Sequence, residues 1–246
     1  MMERRVFDIL TNERIARDTF NLVLAADDPD FAFTGEFVDI EISGFYLRRP
    51  ISVCDWAPGE IRLIYKVVGK GTDALSRMKA GESLDLLVGL GRGFDPEACQ
   101  GSALLVGGGL GAAPLLPVCK KLKERGCKVT AVLGFNRADE IVLEREFREL
   151  CDDVAIATLD GSVGVKGFVT DAIALLKPAY DYFYTCGPMV MMKAVCAALP
   201  GPGELSLEER MGCGAGFCYG CSCKTLLGTK RICADGPVFK KEEIIW

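Results

Sequence analysis

Four cysteines near the C-terminus constrain this chain more than any other feature of its sequence. Cys213, Cys218, Cys221 and Cys233 follow the pattern C-x4-C-x2-C, then eleven residues, then the fourth cysteine. This is the ligand order of a plant-type [2Fe–2S] cluster, in which each iron takes two thiolates. Glycines beside and between the ligands give such a loop positive φ angles and close backbone approach. The pattern therefore predicts an iron–sulfur site and one-electron chemistry.

Other uses of these thiols stay open. A structural zinc site also takes four thiolates, but two separated C-x2-C knuckles are typical of it, and only Cys218 and Cys221 form one. Disulfides are less expected, because the start MMERRVFDIL lacks the apolar segment of a secretory signal peptide. Cys223 lies in the same loop and could replace Cys221 as a ligand, although C-x4-C-x2-C fits the plant-type spacing better.

The composition excludes several functions. The chain has no histidine, so Rieske clusters, other histidine-ligated metals and histidine acid–base catalysis are excluded. The net charge of −5 and the lack of a basic stripe argue against a nucleic-acid partner. The longest apolar runs are interrupted by glycine and proline and are too short to cross a bilayer. We expect a soluble, cytoplasmic protein with no membrane contact.

The first part of the chain, residues 1–98, predicts a closed antiparallel β-barrel. Six short apolar segments are separated by turn signals, and one shows strict alternation at Ile61, Leu63 and Tyr65. The segment GTDALSRMKAG predicts one short helix, with Thr72 as the N-cap and an end at Gly81.

From residue 99 to 203 strands alternate with helices, which predicts a doubly wound α/β domain with a parallel sheet. One predicted helix covers EIVLEREFREL. The proline- and glycine-rich segment PGPGE is interpreted as a linker, and residues 204–246 as a small iron–sulfur module.

Two motifs of the α/β region indicate a nucleotide site. The run GGGLGAAP follows a strand and opens a helix, so Gly109 and Gly111 permit close approach to a pyrophosphate and Pro114 suits the first helical turn. The second motif, Cys186-Gly187-Pro188, also joins a strand to a helix and should lie at the same sheet edge. A glycine-rich turn without a ligand, and a buried small residue at Cys186, are the alternatives.

Two barrel segments indicate a phosphate or ring-edge contact. In RRPISV, an arginine beside Pro50 and Ser52 can pair with a phosphate, although Arg48 and Arg49 could also be a solvated pair. In IYKVVGKGT, Gly71 and Thr72 lead into the predicted short helix, another candidate phosphate site.

In this order, the motifs resemble the ferredoxin reductase superfamily, and within it the electron-transfer subunits of the B-type dihydroorotate dehydrogenases. Arg49-Pro50-Ile51-Ser52 matches the barrel motif, Gly109 to Pro114 matches G-x-G-x-x-P, and CGAGFCYGC with CADGPVF matches the cluster loop. The resemblance implies three sets of site residues. FAD would contact Arg49, Pro50, Ile51, Ser52, Ile64, Tyr65, Lys66, Gly71 and Thr72; NAD would contact Gly109, Gly111, Pro114, Cys186, Gly187 and Pro188; the [2Fe–2S] cluster would be bound by Cys213, Cys218, Cys221 and Cys233.

The resemblance also implies the function. Electrons would pass between NAD, FAD and the cluster, and on to an FMN-containing catalytic subunit that oxidises dihydroorotate in pyrimidine (UMP) biosynthesis, in a heterotetramer with two of each subunit. The module around GFCYGC and the C-terminal tail would bind that subunit. A reductase subunit of a hydrogenase or of a ferredoxin:NADP oxidoreductase has the same layout, and a zinc-stabilised nucleotide sensor is the non-enzymatic alternative. Arg137 leaves the choice between NADH and NADPH open.

Overall fold

The computed structural model describes residues 2–26 and 34–246, and its first part is a six-stranded barrel. The strands follow the order β1-β2-β5-β4-β3-β6, and all neighbours are antiparallel. Ile61, Leu63 and Tyr65 are fully buried, as their alternation predicts. The predicted barrel is confirmed. Its strands are β1 (Glu3–Ala16), β2 (Thr19–Ala26), β3 (Phe37–Ile40), β4 (Arg49–Ala57), β5 (Gly59–Lys66) and β6 (Ser83–Leu90).

The short barrel helix differs from its prediction. Helix α1 covers Lys70–Leu75, and its N-cap is Gly69 rather than Thr72. Thr72 is the third helical residue, and its hydroxyl accepts hydrogen bonds from the backbone N–H groups of Val68 and Gly69. The helix does not continue to Gly81, because the Asn12 side chain donates to the carbonyls of Leu75 (2.8 Å) and Met78 (3.0 Å).

The second sheet has seven strands in the order β10-β9-β8-β7-β11-β12-β15. Every neighbouring pair is parallel except β12 and β15. The predicted doubly wound α/β architecture is confirmed. The strands are β7 (Ser102–Gly108), β8 (Lys128–Phe135), β9 (Asp153–Thr158), β10 (Val165–Lys166), β11 (Tyr182–Cys186), β12 (Gly203–Ser206) and β15 (Val238–Lys240).

Four helices connect these strands: α2 (Ala112–Glu124), α3 (Glu144–Leu150), α4 (Val169–Leu176) and α5 (Met189–Ala198). The prediction of a helix over EIVLEREFREL is wrong in its first four residues. Leu143 has a φ of 60° and begins the helix from a left-handed conformation, so α3 starts only at Glu144. Among the described residues, every helix is too short or too polar to cross a bilayer.

The C-terminal segment adds a hairpin and a short helix, β13 (Ser222–Thr225), β14 (Gly228–Arg231) and α6 (Ile232–Asp235). In sequence, β12 precedes the hairpin and α6, and β15 follows them. Both strands belong to the α/β sheet, where they are neighbours. The domain boundary predicted between residues 203 and 204 falls within β12, and the division into three domains stays a prediction.

Two cores join the parts of the molecule. The first packs Cys54 and Ile64 of the barrel against the buried face of α2, including Leu115. The second packs Phe37 and Leu90 of the barrel with sheet residues and with Cys221 and Cys233. The barrel therefore contacts both the start of the nucleotide helix and the cysteine segment.

Candidate functional site

A cleft of about 350 Å³ lies between the barrel, the start of α2 and the chain that follows β12. Most of the predicted flavin residues meet there, although they come from three elements. Strands β4 and β5 are antiparallel, so the start of β4 lies beside the end of β5, and α1 begins four residues after β5 ends. The predicted residues that line the cleft are Arg49, Pro50, Ile51, Ser52, Ile64, Tyr65, Lys66 and Thr72.

The Arg49 guanidinium lies against the first turn of α1. A Cβ atom placed on Gly71 would overlap Arg49 Nε, so a larger residue there would displace the guanidinium from this position. Arg49 Cζ also lies 5.1 Å from the centre of the Phe45 ring. A guanidinium beside the Thr72 backbone is suited to bind a phosphate group through charge-assisted hydrogen bonds.

Two predicted flavin residues have further partners in the structure. The Tyr65 ring is fully buried and stacked on Phe20, and its hydroxyl donates to Asn12 Oδ1 at 2.9 Å. Burial raises the pKa of Tyr65 to about 12. Lys66 Nζ lies 3.4 Å from Glu140 Oε2, which ties the end of β5 to the α/β domain.

The cleft also contains residues that the sequence analysis missed. They lie at the end of β12 and just after it, where the carboxyl ends of the parallel strands meet, and this position was the available signal. The segment was instead assigned to the cluster module. The missed lining residues from this segment are Ser206, Leu207, Glu208, Glu209 and Met211.

A second pocket, of about 480 Å³, lies at the carboxyl edge of the parallel sheet. Gly109 and Pro188 of the predicted nucleotide motifs line it, together with Phe168 and Leu159, which the sequence analysis missed. Gly109 has a φ of 55°, as the turn between β7 and α2 requires. The pocket thus combines a glycine turn with apolar surface, which suits a dinucleotide.

The remaining residues of the two motifs pack against each other beside this pocket. A Cβ atom on Gly111 would lie 2.1 Å from the carbonyl oxygen of Cys186, so the two strand–helix turns touch through backbone. Gly187, with a φ of 152°, approaches Gly108 in the same way. Pro114 is buried in the first turn of α2. Cys186 is buried, and burial raises the pKa of its thiol.

The four cysteines of the opening pattern lie in two pairs. Backbone-to-sulfur contacts join Cys218 to Cys213 and Cys233 to Cys221. Among residues 2–26 and 34–246, no three histidine, cysteine or acidic side chains are grouped around one ion position. Two pairs suit the two irons of a [2Fe–2S] cluster better than a single zinc ion.

Backbone N–H groups point at these sulfurs. The N–H groups of Phe217 (3.2 Å) and Cys218 (3.4 Å) donate to Cys213 Sγ. Burial opposes ionisation of the Cys213 thiol, but these donors outweigh it and lower its pKa to about 6. The Cys233 N–H donates to Cys221 Sγ at 3.4 Å. Such donors stabilise thiolates, which is the form that binds iron.

The glycines of this loop serve two purposes. Gly214 and Gly216 have positive φ angles of 63° and 85°. Gly212 and Gly220 do not, but a Cβ atom on either would lie within 3.4 Å of Cys218 Sγ. The loop thus shows both expected features, positive φ at the first pair of glycines and close backbone approach to a sulfur at the second.

Arg231 connects the parts of the cysteine segment. It donates to the Gly216 carbonyl (2.9 Å) and to both oxygens of Asp235, and it lies 5.1 Å from the centre of the Tyr219 ring. Cys223 lies in β13 opposite Lys230 and packs against the core that contains Cys221 and Cys233. The geometry fits a cluster held by the four predicted ligands, and the exclusion of Cys223 from the set stays a prediction.

Comparisons with known proteins agree with this architecture. Residues 105–197 match the sequence model of the oxidoreductase NAD-binding domain. Residues 208–245 match that of the iron–sulfur cluster binding domain of dihydroorotate dehydrogenase B. This second region contains all four predicted cluster cysteines.

Full-length relatives carry the same designation. The "Dihydroorotate dehydrogenase B (NAD(+)), electron transfer subunit" of Geobacillus sp. (strain WCH70) is 41% identical over 100% of both chains. The protein of that name from Fusobacterium nucleatum is 40% identical over 95% of both chains.

A solved structure is also closely similar. It is a chain from a study of flavin-based electron bifurcation in an NADH-dependent reduced ferredoxin-NADP oxidoreductase. The TM-score is 0.90 at 36% identity, over 98% of this chain and 90% of that one. With its barrel, parallel sheet and paired cysteines, and with about 40% identity over its full length, this chain belongs to the family of electron transfer subunits of dihydroorotate dehydrogenase B (NAD(+)).

Proposed function

We propose that this chain carries electrons between the catalytic subunit of a B-type dihydroorotate dehydrogenase and NAD, in pyrimidine (UMP) biosynthesis. It is thus an oxidoreductase subunit. The observation that carries the proposal is the match of residues 208–245 to the iron–sulfur domain of that enzyme, with all four cysteines in place. The cofactors are FAD, a [2Fe–2S] cluster and NAD.

When bound, the flavin exchanges a hydride with NAD(H) and single electrons with the iron–sulfur cluster, so the protein's own residues serve to bind and orient. Arg49 and Thr72 hold phosphate at the start of α1, and residues 50–52 and 64–66 line the ring site. The turn from β7 to α2 serves both sites, because Gly109 lines the NAD pocket and Leu110 lines the flavin cleft.

The flavin cleft is also close to the cysteine loop. Met211, two residues before Cys213, lines the cleft, and so does Pro237, four residues after Cys233. The NAD pocket, the flavin cleft and the cysteine pairs therefore follow one another through shared or neighbouring residues. This arrangement supports stepwise electron transfer, which requires short separations between carriers.

The partner is the catalytic subunit of the same enzyme, as the relatives' designation implies. The surface that fits it lies on the cysteine segment. Phe217 and Tyr219 flank Cys218 and are 76% and 61% exposed. Leu226 and Leu227, at the tip of the β13–β14 hairpin, are also exposed. Large exposed apolar side chains near one site favour a protein interface. A heterotetramer with two of each subunit is part of the proposal.

The environment of Arg137 favours NAD over NADP. Its Nε lies 3.8 Å from Asp139 Oδ1 and 4.0 Å from Asp160 Oδ2. These carboxylates offset the charge that a 2′-phosphate would need. A cytoplasmic location belongs to the same proposal, since the twelve cysteines, all within the described residues, form no disulfide, as expected in a reducing compartment.

The test is co-expression with the dihydroorotate dehydrogenase catalytic subunit encoded in the same genome. We expect a complex containing flavin and iron that reduces NAD with dihydroorotate. The isolated chain should reduce a dye with NADH but should not oxidise dihydroorotate. Dihydroorotate oxidation by the isolated chain, or no association of the two subunits, would contradict the proposal.

A second candidate is a reductase subunit of a ferredoxin-NADP oxidoreductase complex, favoured by the TM-score of 0.90 to a chain from that enzyme. The same preparations decide between the two. Each preparation is assayed with reduced ferredoxin and NADP in place of dihydroorotate. Reduction of NADP by ferredoxin would support the second candidate.

A further inference from the structure

Asp39 is a buried carboxyl group between the flavin strand and the cysteine loop. It lies in β3 and is 2% exposed. Its backbone pairs with Pro50 of the barrel motif. Its side chain faces Gly214, the residue after Cys213: a Cβ atom on Gly214 would be 2.4 Å from Asp39 Oδ2. Asp39 therefore touches both the flavin-site strand and the loop that carries two predicted iron ligands.

Among residues 2–26 and 34–246, no cationic side chain forms a direct ion pair with the carboxyl group of Asp39, although Arg48 and Arg49 are nearby. Arg48 donates to the backbone carbonyl of Asp39 at 3.1 Å, and its other donors bond Asp85 and Glu41. The Arg49 guanidinium donates to the carbonyls of Leu47 and Arg48. Within the described part of the chain, Asp39 Oδ1 is buried without a hydrogen-bond partner. Burying such a group lowers the stability of the fold. Its position beside both sites therefore indicates a role other than stabilisation.

At pH 8 the group carries a negative charge. Burial raises the pKa of Asp39 to about 6, although the positive charges of Arg48 and Arg49 lower it. The charge lies in a water-poor interior, where its field on neighbouring groups is screened less than at the surface. A fixed negative charge disfavours the arrival of an electron at a nearby site.

Resting on the proposed function above, we infer that Asp39 is a positioning residue that supports the Gly214 turn and lowers the reduction potential of the cluster bound by the four cysteines. Two features favour glycine at 214, because its φ is 63° and a Cβ atom there would overlap the Asp39 carboxylate. By lowering the cluster potential, Asp39 shifts the equilibrium of an electron between the two carriers away from the cluster and toward the flavin.

The test is the midpoint potential of the cluster in Asp39→Asn, measured by a redox titration followed by electron paramagnetic resonance at pH 8. The full chain with its flavin and cluster is used. Loss of the charge should shift the one-electron equilibrium toward the reduced cluster about tenfold, which is about 59 mV. The matched control is Glu41→Gln, which removes an exposed carboxylate that also contacts Arg48. Its cluster potential should equal that of the wild type.

An unchanged potential in Asp39→Asn, with full iron content, would overturn the inference. If Asp39→Asn loses its iron, the cluster potential is measured instead in Asp39→Ser, which has a smaller neutral side chain. Iron loss from both variants would also overturn it, since the side chain would then serve the fold alone. The potential measurement does not depend on dihydroorotate turnover. A wild-type chain without any cluster signal would contradict the proposed cofactors rather than the role of Asp39.

Discussion

Pairing distinguishes the cysteines of the C-terminal segment from one another. Cys221 and Cys223 both follow Cys218 closely in sequence. The spacing favours Cys221 as the third ligand but does not exclude Cys223. In the structure Cys221 is 2% exposed and its sulfur accepts the Cys233 N–H. Cys223 lies in β13, where its backbone pairs with that of Lys230.

We predict that Cys218→Ser abolishes the cluster and Cys223→Ser does not. A serine hydroxyl is a poor substitute for a thiolate, so Cys218→Ser should lose most of the two irons per chain. Iron analysis and the visible spectrum measure this, with Cys223→Ser as the matched control. Full iron in Cys218→Ser, or its loss in Cys223→Ser, would refute the ligand set.

Helix α1 shows how one element is defined by contacts distant in sequence. Its sequence predicts a helix that continues to Gly81, but Asn12, 63 residues before Leu75, binds the carbonyls at its end. Its start is likewise shaped by the Arg49 guanidinium, which occupies the space beside Gly71. Sequence patterns within the segment contain neither fact, which is why the helix bounds were predicted incorrectly.

At this element we predict that Gly71→Ala weakens FAD binding about tenfold, or about 1.4 kcal/mol. The added methyl group would overlap the Arg49 guanidinium and displace it from the first turn of α1. Gly69→Ala is the control, because a Cβ atom there meets nothing within 4 Å and its backbone is extended. Titration of flavin fluorescence with the FAD-free protein measures both. Equal affinities for the two variants would show that Arg49 does not bind the cofactor.

In the whole molecule, one side of the cysteine segment is packed in the core and the other side is exposed to solvent. Its inner side packs on the barrel and the sheet through Cys221 and Cys233. Its outer side exposes Leu226 and Leu227, and the Leu226 N–H donates to the Glu243 carbonyl at 2.8 Å. The C-terminal tail, which ends in Ile245 and Trp246, therefore runs beside the hairpin tip. Together they form an exposed apolar face, which we propose as the surface that binds the catalytic subunit.

We predict that Leu226→Asp with Leu227→Asp weakens binding to the catalytic subunit at least tenfold, because two charges would be buried at the interface. Dye reduction by NADH should stay at the wild-type rate. Leu175→Asp, which alters an exposed leucine on α4, is the control. Binding is measured by titration calorimetry with the purified catalytic subunit. Wild-type affinity in the double variant would place the interface elsewhere.

Local patterns in the sequence determined the fold class and the ligand spacing. Alternation at period two predicts strands, glycine-rich strand–helix turns predict a nucleotide edge, and the cysteine spacing predicts a cluster, because each depends only on neighbouring residues. Whether the motifs at Arg49, Thr72 and Gly109 lie next to one another could not be read from them individually. The family resemblance supplied that expectation.

Only the tertiary structure decided which distant residues meet. It brought residues 206–209 and Met211 into the flavin cleft, placed β12 and β15 in the α/β sheet, and set Asp39 against Gly214. Each of these contacts joins segments far apart in the chain, and each depends on how buried faces pack rather than on a local pattern. The four cysteines thus define the chemistry, while the packing of the barrel against their loop determines the groups that surround it.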